Sequence, residues 1–176
     1  MPTPNLIPVL KKEDICKIIA ELAHRISKDY ENLELVLIGV LKGAFIFLAD
    51  LMRCLTISAK VDFVRIASYE SRTSSSGSVR MGKEIELDVK NKDVLIVEDI
   101  IDSGLSMCTL IDYINSLHPR TVGICVLIDK RERREFDVDI DYVGCVVEEG
   151  YLVGYGLDFA EEYRYLPGVY RLQIEP

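Results

Sequence analysis

A chain of 176 residues with a net charge of −8 is expected to fold as one domain, residues 1–176, with a real buried core. About half of it is apolar (49%), yet no apolar run approaches transmembrane length, so a soluble globular protein without a membrane partner is expected. The acidic balance argues against a nucleic acid gripped nonspecifically through its phosphates.

The start, Met-Pro-Thr-Pro-Asn, has no basic segment followed by an apolar one, so a secretion signal is not expected. Five scattered cysteines, never in a C-x-x-C, suggest reduced and mostly buried thiols in the cytoplasm. Residues 13–30 follow as an amphipathic helix. Glu13 and Asp14 sit in its first turn, and Ile15, Ile18, Ile19, Leu22 and Ile26 line one face. His24 and Arg25 are expected to face outward. The continuous apolar run Leu35–Leu41 suits a strand buried on both faces. Lys42-Gly43 is then a turn into a helix over Ala44–Arg53. By itself that is an ordinary strand-to-helix turn with a surface lysine, although such strand ends are where α/β sheets bind ligands.

Ser58–Tyr69 is a third strand region. The long polar stretch S-R-T-S-S-S-G-S-V-R-M-G follows it. A loop of this length is either functional or floppy; as a lid, over about 69–83, it would exclude water from a reactive centre. Ile85 and Leu87 alternate with Glu84, Glu86 and Asp88, which predicts a half-exposed strand.

The organising stretch is Asp93–Leu117. Val94–Val97 is an unbroken, mostly β-branched run, the mark of a strand within a parallel sheet. Glu98 and Asp99 follow at its carboxyl end. Then come Asp102, Ser103, Gly104, Leu105 and Ser106, and a helix with Met107, Leu110, Ile111, Ile114 and Leu117 on one face. A helix start offers unpaired N–H groups and a positive dipole end; Gly104 admits close backbone approach, and the serines add hydroxyls. That makes a socket for a phosphate monoester. Glu98 and Asp99 suit sugar hydroxyls, which donate to carboxylates. A phosphorylated ribose would satisfy both halves. The plainer reading is an acidic turn with Asp102 capping the helix.

His118-Pro119 ends that helix. Thr121–Ile128 is another buried strand, leading to Asp129-Lys130 and the charged stretch R-E-R-R-E, mostly a solvated face. Lys130 stands at the strand end, on the side of the candidate sites, and position alone does not separate a site lysine from a surface one. Asp141–Val147 is a further strand. After it, two glycines within three residues and nearby tyrosines suggest a shaped loop. Tyr151 is either core or a platform for a flat ring. Asp158 is expected to begin a last short helix, where capping is its ordinary role.

The segment from Glu98 to Ser106 resembles the phosphoribosyl diphosphate (PRPP) motif of the type I phosphoribosyltransferases. Nearly the whole chain is similar to the bacterial hypoxanthine-guanine branch of that family. The resemblance implies an α/β fold: a Rossmann-like parallel sheet flanked by helices, with a flexible lid loop and a small purine-binding hood formed by N-terminal and C-terminal segments. It implies diphosphate contacts at Lys42, Gly43 and Arg164, a non-proline cis peptide at Leu41-Lys42 in many members, and a lid pair at Ser68 and Tyr69. It implies purine contacts at Lys130, Tyr151, Leu152 and Asp158, with Asp158 also linked to a metal. It further implies a homodimer or homotetramer. Two departures stand out: the stretch Cys145–Gly150 lacks the family's usual aromatic and proline, and Tyr151 stands where phenylalanine is usual. Both bear on base preference, not on reaction class.

The implied reaction joins a purine base to PRPP, giving a nucleoside monophosphate and diphosphate. Carboxylates beside phosphates repel unless a divalent cation lies between them, so Mg²⁺ held by Glu98, Asp99 and Asp158 is expected. Asp102 is the candidate general base for the purine's imidazole proton. Lys130 has donors only, which suits the six-carbonyl of a 6-oxopurine and not the amino group of adenine. One alternative is a nucleotide-sensing regulator on the same fold without catalysis; it would lose the base-recognition residues present here. Another is a receiver-type phosphoacceptor domain, which would need a paired-acid turn near the N-terminus that is missing.

Overall fold

A computed structural model describes residues 5–68 and 79–173. Six strands form the central sheet: β2 (Leu35–Leu41), β3 (Ala59–Ser68), β4 (Val79–Lys83), β5 (Asp93–Ile101), β6 (Thr121–Lys130) and β7 (Tyr142–Val147), in the order β4-β3-β2-β5-β6-β7. All neighbours pair in parallel except β4, which is an antiparallel edge on β3. A second, three-stranded antiparallel sheet joins β1 (Asn5–Leu10), β9 (Val169–Gln173) and β8 (Leu152–Val153). The expected α/β architecture is therefore present.

The unbroken apolar runs are explained by two core layers. From β2, β5 and β6, Leu35, Leu37, Leu95, Val97, Cys125 and Leu127 face α1 (Lys12–Asp29) and α2 (Phe45–Cys54). Their alternates Val36, Ile38, Val94, Ile96, Ile124 and Val126 share the other layer with Met107, Leu110 and Ile114 of α3 (Leu105–Ser116). Successive strand residues point to opposite faces, so a strand covered on both sides must be apolar throughout.

Chain connections diverge between β2 and β5: β2 is followed by β3 on one side, β5 by β6 on the other. Such a switch point opens a crevice at the carboxyl ends of the strands. The Lys42-Gly43 turn and the Glu98–Ser106 stretch flank it.

Several expectations need correction. Residues 84–88 keep their alternation but form no strand. Asp62 Oδ2 instead accepts the N–H groups of Glu86 and Leu87 at 2.7 and 2.8 Å, and the Tyr113 hydroxyl accepts that of Ile85 at 3.2 Å. Side chains thus satisfy a backbone that a partner strand would otherwise pair. Of the expected lid, 69–78 lies outside the described residues and 79–83 is β4. No helix begins at Asp158; the segment closes in two short bridges, Gly154 with Leu157 and Phe159 with Glu162. Gly104, at φ +90°, caps α3, and Asp102 does not. All five cysteines are free, but Cys125 alone is fully buried, while Cys16 and Cys54 are exposed. No helix among the described residues is long and apolar enough to cross a membrane.

Candidate active site

One cavity of about 560 Å³ opens at the crevice between β2 and β5. It brings together Lys42, Gly43, Glu98, Asp99, Asp102, Ser103, Gly104, Ser106, Lys130, Tyr151, Leu152, Asp158 and Arg164, residues spread over 123 positions of sequence. Leu105 does not line it; its N–H reaches the Ser103 hydroxyl at 3.4 Å as α3 begins. Ser68 is the last residue of β3, and Tyr69 lies outside the described residues.

β5 continues through Glu98 and Asp99 to Ile101, so both acids are strand residues near its carboxyl end, and both line the cavity. Burial and the neighbouring Asp99 raise the Glu98 carboxyl well above its ordinary value, and burial raises Asp99 as well. The Asp99 carboxylate lies against the turn after β2. A Cβ at Gly43 would fall 1.9 Å from Asp99 Oδ2. Leu41-Lys42 is a cis peptide.

After β5 the chain turns over Asp102 and Ser103 into α3. This turn is held from behind. Arg134 donates to the carbonyls of Asp102 (2.9 Å), Ile101 (3.1 Å) and Lys130 (3.2 Å) and to Asp129 Oδ1 (2.5 Å). The N–H groups of Glu135 and Phe136 donate to the Ser103 carbonyl at 3.0 and 2.9 Å. The R-E-R-R-E stretch is therefore not simply a solvated face. Its arginine at 134 is half-buried and structural, and its glutamate at 132 lines the cavity. Sequence reading missed both, because charged residues in a row carry no signal of which one turns inward.

Lys130 is the final residue of β6, two residues later than the strand end expected at Ile128. It is 6% exposed, which separates it from a surface lysine. Its Nζ lies 3.4 Å from Asp102 Oδ2 and 3.3 Å from Glu132 Oε2. Asp102 Oδ1 is buried with no hydrogen-bond partner among the described residues.

The far wall comes from the segment after β7. Tyr151 is 53% exposed, so its ring is available as a surface. Phe159 meets it edge-on at 5.4 Å, and the Tyr151 hydroxyl donates to the Asp158 carbonyl at 3.2 Å. Leu152 is buried in β8. Asp158 caps a turn, accepting the Glu161 N–H at 2.9 Å, and pairs with Arg164 at 2.8 Å. Arg164 also donates to the Gly156 carbonyl at 2.6 Å. At φ +102°, Gly156 packs on Gly43: a Cβ there would be 2.1 Å from the Gly43 carbonyl oxygen. This contact packs the segment after β8 against the Lys42-Gly43 turn.

Among the described residues, no three His, Cys, Asp or Glu side chains gather as an ion cage. Glu98 and Asp99 remain as adjacent oxygen donors within the cavity. Asp158 lines the same cavity but is engaged by Arg164.

Acids at the end of β5 and the hydroxyl-bearing turn into α3 thus meet in one cavity at the switch point. The chain belongs to the phosphoribosyl transferase domain family, whose match spans residues 9–160. It is 43% identical over 166 residues to the hypoxanthine-guanine phosphoribosyltransferase of Aquifex aeolicus, covering 94% of this chain and 93% of that one. It is 39% identical over 161 residues to the hypoxanthine phosphoribosyltransferase of Escherichia coli, covering 90% of each. Its fold matches the crystal structure of a hypoxanthine phosphoribosyltransferase from Staphylococcus aureus with a TM-score of 0.90 at 37% identity, over 94% of this chain and 90% of that one.

Proposed function

We propose that this protein acts in purine salvage, transferring the 5-phosphoribosyl group of PRPP to hypoxanthine or guanine to give IMP or GMP and diphosphate. The observation that carries this reading is Lys130: a buried ammonium at a strand end, in one cavity with a phosphate-type socket and an exposed aromatic ring.

The Asp102–Ser106 turn takes the 5-phosphate through the first N–H groups of α3 and the hydroxyls of Ser103 and Ser106. Glu98 and Asp99 accept from the ribose hydroxyls and place negative charge near a sugar that becomes positive as the glycosidic bond breaks. Lys42, Gly43 and Arg164 hold the diphosphate. Tyr151 stacks on the base, Leu152 meets its edge through the backbone, and Lys130 donates to its six-carbonyl. Asp102 Oδ1, buried and without a hydrogen-bond partner among the described residues, accepts the imidazole proton. Ser68 and Tyr69 are included as lid residues on the sequence likeness alone.

Mg²⁺ fits this donor set. It usually takes one or two carboxylates together with substrate oxygens and water rather than an all-protein cage. Glu98 and Asp99, adjacent oxygen donors in the cavity, would hold it, with Asp158 on the lining of the same cavity. When bound, it supplies charge neutralisation for the diphosphate leaving group.

The reading extends to a cytoplasmic homodimer or homotetramer. Five free cysteines suit a reducing compartment. Phe45 and Met52, exposed and seven residues apart on α2, offer an apolar face for self-association. Sedimentation tests the oligomer.

The decisive assay mixes protein, PRPP and Mg²⁺ with each base separately and follows nucleotide formation. Hypoxanthine and guanine are converted, and a chelator stops both. Absence of IMP and GMP under these conditions overturns the proposal.

A further inference from the structure

Lys130 is suspended between two carboxylates. Its Nζ is 3.4 Å from Asp102 Oδ2 and 3.3 Å from Glu132 Oε2; among the described residues, these are its only acidic partners within 4 Å. The acids arrive from different elements. Asp102 belongs to the turn after β5, and Glu132 lies two residues past the end of β6. An ammonium has three N–H donors and no acceptor. One N–H donates to Asp102 Oδ2 and the head also faces Glu132 as an ion pair, which leaves a donor for a ligand in the cavity that all three residues line. A lysine head on a flexible stem, held by a single partner, would keep more rotational freedom.

Glu132 has a second attachment. The same Oε2 accepts the backbone N–H of Gly150 at 3.2 Å. Gly150 stands at φ +105° immediately before Tyr151 and Leu152. Arg171 packs beneath it, close enough that a Cβ there would meet the Arg171 Cδ at 2.6 Å. One carboxylate oxygen thus joins the ammonium of Lys130 to the start of the segment that carries the exposed ring. The Gly150 N–H and the Lys130 ammonium hold the Glu132 carboxyl below its ordinary value, so it stays ionised at neutral pH.

We propose that Glu132 is a positioning residue for base recognition. It aims the remaining N–H of Lys130 at the six-carbonyl and sets the spacing between Lys130 and the Tyr151–Leu152 platform. This rests on the 6-oxopurine reading of the site given above.

The test is steady-state kinetics of Glu132→Ala and Glu132→Gln, varying PRPP and purine separately, with thermal unfolding alongside. Glu132→Ala raises the hypoxanthine KM about three- to tenfold, as suits a half-exposed pair plus one backbone bond. It leaves the PRPP KM and the thermal midpoint unchanged and lowers hypoxanthine-over-adenine discrimination by a similar factor. Glu132→Gln keeps an acceptor for Gly150 but loses the charge facing Lys130, and its purine KM rises to an intermediate value. A purine KM that is unchanged or lower in Glu132→Ala overturns the inference, as does an equal rise in the PRPP KM. If the wild-type protein converts no 6-oxopurine, the reading of the site fails and this inference with it. A wild-type protein active on hypoxanthine beside a silent Glu132→Ala defeats this inference alone.

Discussion

The Asp99 carboxylate rests directly on the Cα of Gly43, so that a Cβ at 43 would lie 1.9 Å from Oδ2 and 2.6 Å from Cγ. Two turns distant in sequence, one after β2 and one at the end of β5, share a single boundary across the switch point. Gly43→Ala therefore forces the buried carboxylate to move. It should cost about 1–3 kcal/mol of stability, as overpacking does, and raise the PRPP KM, because both turns are assigned to that substrate. Urea unfolding and PRPP titration check the two effects.

Asp102→Asn removes the ability to accept a proton while keeping size and the turn. Turnover should fall by about 10²–10⁴-fold, the usual contribution of a general base, with PRPP affinity little changed. Single-turnover kinetics and equilibrium PRPP binding separate the two; an unaffected rate clears Asp102 of the role.

Lys130 presents donors only. The wild-type protein should prefer hypoxanthine to adenine by roughly 10⁴-fold or more, since the wrong base leaves a buried donor unpaired. Lys130→Gln, which offers both an acceptor and a donor, should reduce that ratio sharply. Efficient adenine turnover by the wild-type protein removes the carbonyl-reading role.

Asp93 opens β5 and is 1% exposed. Arg120 Nε donates to its Oδ1 at 2.9 Å and Nη2 donates to Oδ2, with the Thr121 hydroxyl at 2.7 Å. The Arg120 hydrogen bonds, aided by Thr121 and opposed by burial, hold the carboxyl below its ordinary value. The folded value is the lower one, so this stabilisation is fully present above about pH 4, the unfolded value, and is lost as pH falls through the folded value. Asp93→Asn should lower stability at neutral pH by about 1–3 kcal/mol and flatten the loss on acidification. Denaturant titrations at pH 7 and pH 3 measure both.

Elements whose neighbours are all apolar were legible in the linear chain. The runs at Leu35–Leu41, Val94–Val97 and Thr121–Ile128 announce strands buried on both faces, and each proved so. The passage from the end of β5 into α3 was legible for a related reason: its acids, hydroxyls and glycine are close together in sequence. Patterns failed where polar groups found partners far away. Residues 84–88 alternate like a strand, yet Asp62 and Tyr113 take their N–H groups. Asp158 resembles a helix start, yet its segment is tied by Arg164 to Gly156 and Asp158 itself.

The apolar runs along the strands were enough to announce a parallel sheet covered on both faces, because that follows from local composition and periodicity. Only the three-dimensional arrangement decided that Lys130 is buried between Asp102 and Glu132, that Arg134 braces the turn, and that Gly156 packs on Gly43. Charged residues prefer the surface, and one turns inward only where a partner compensates its charge. Their placement is set by whichever distant partner the closed sheet brings within hydrogen-bond reach.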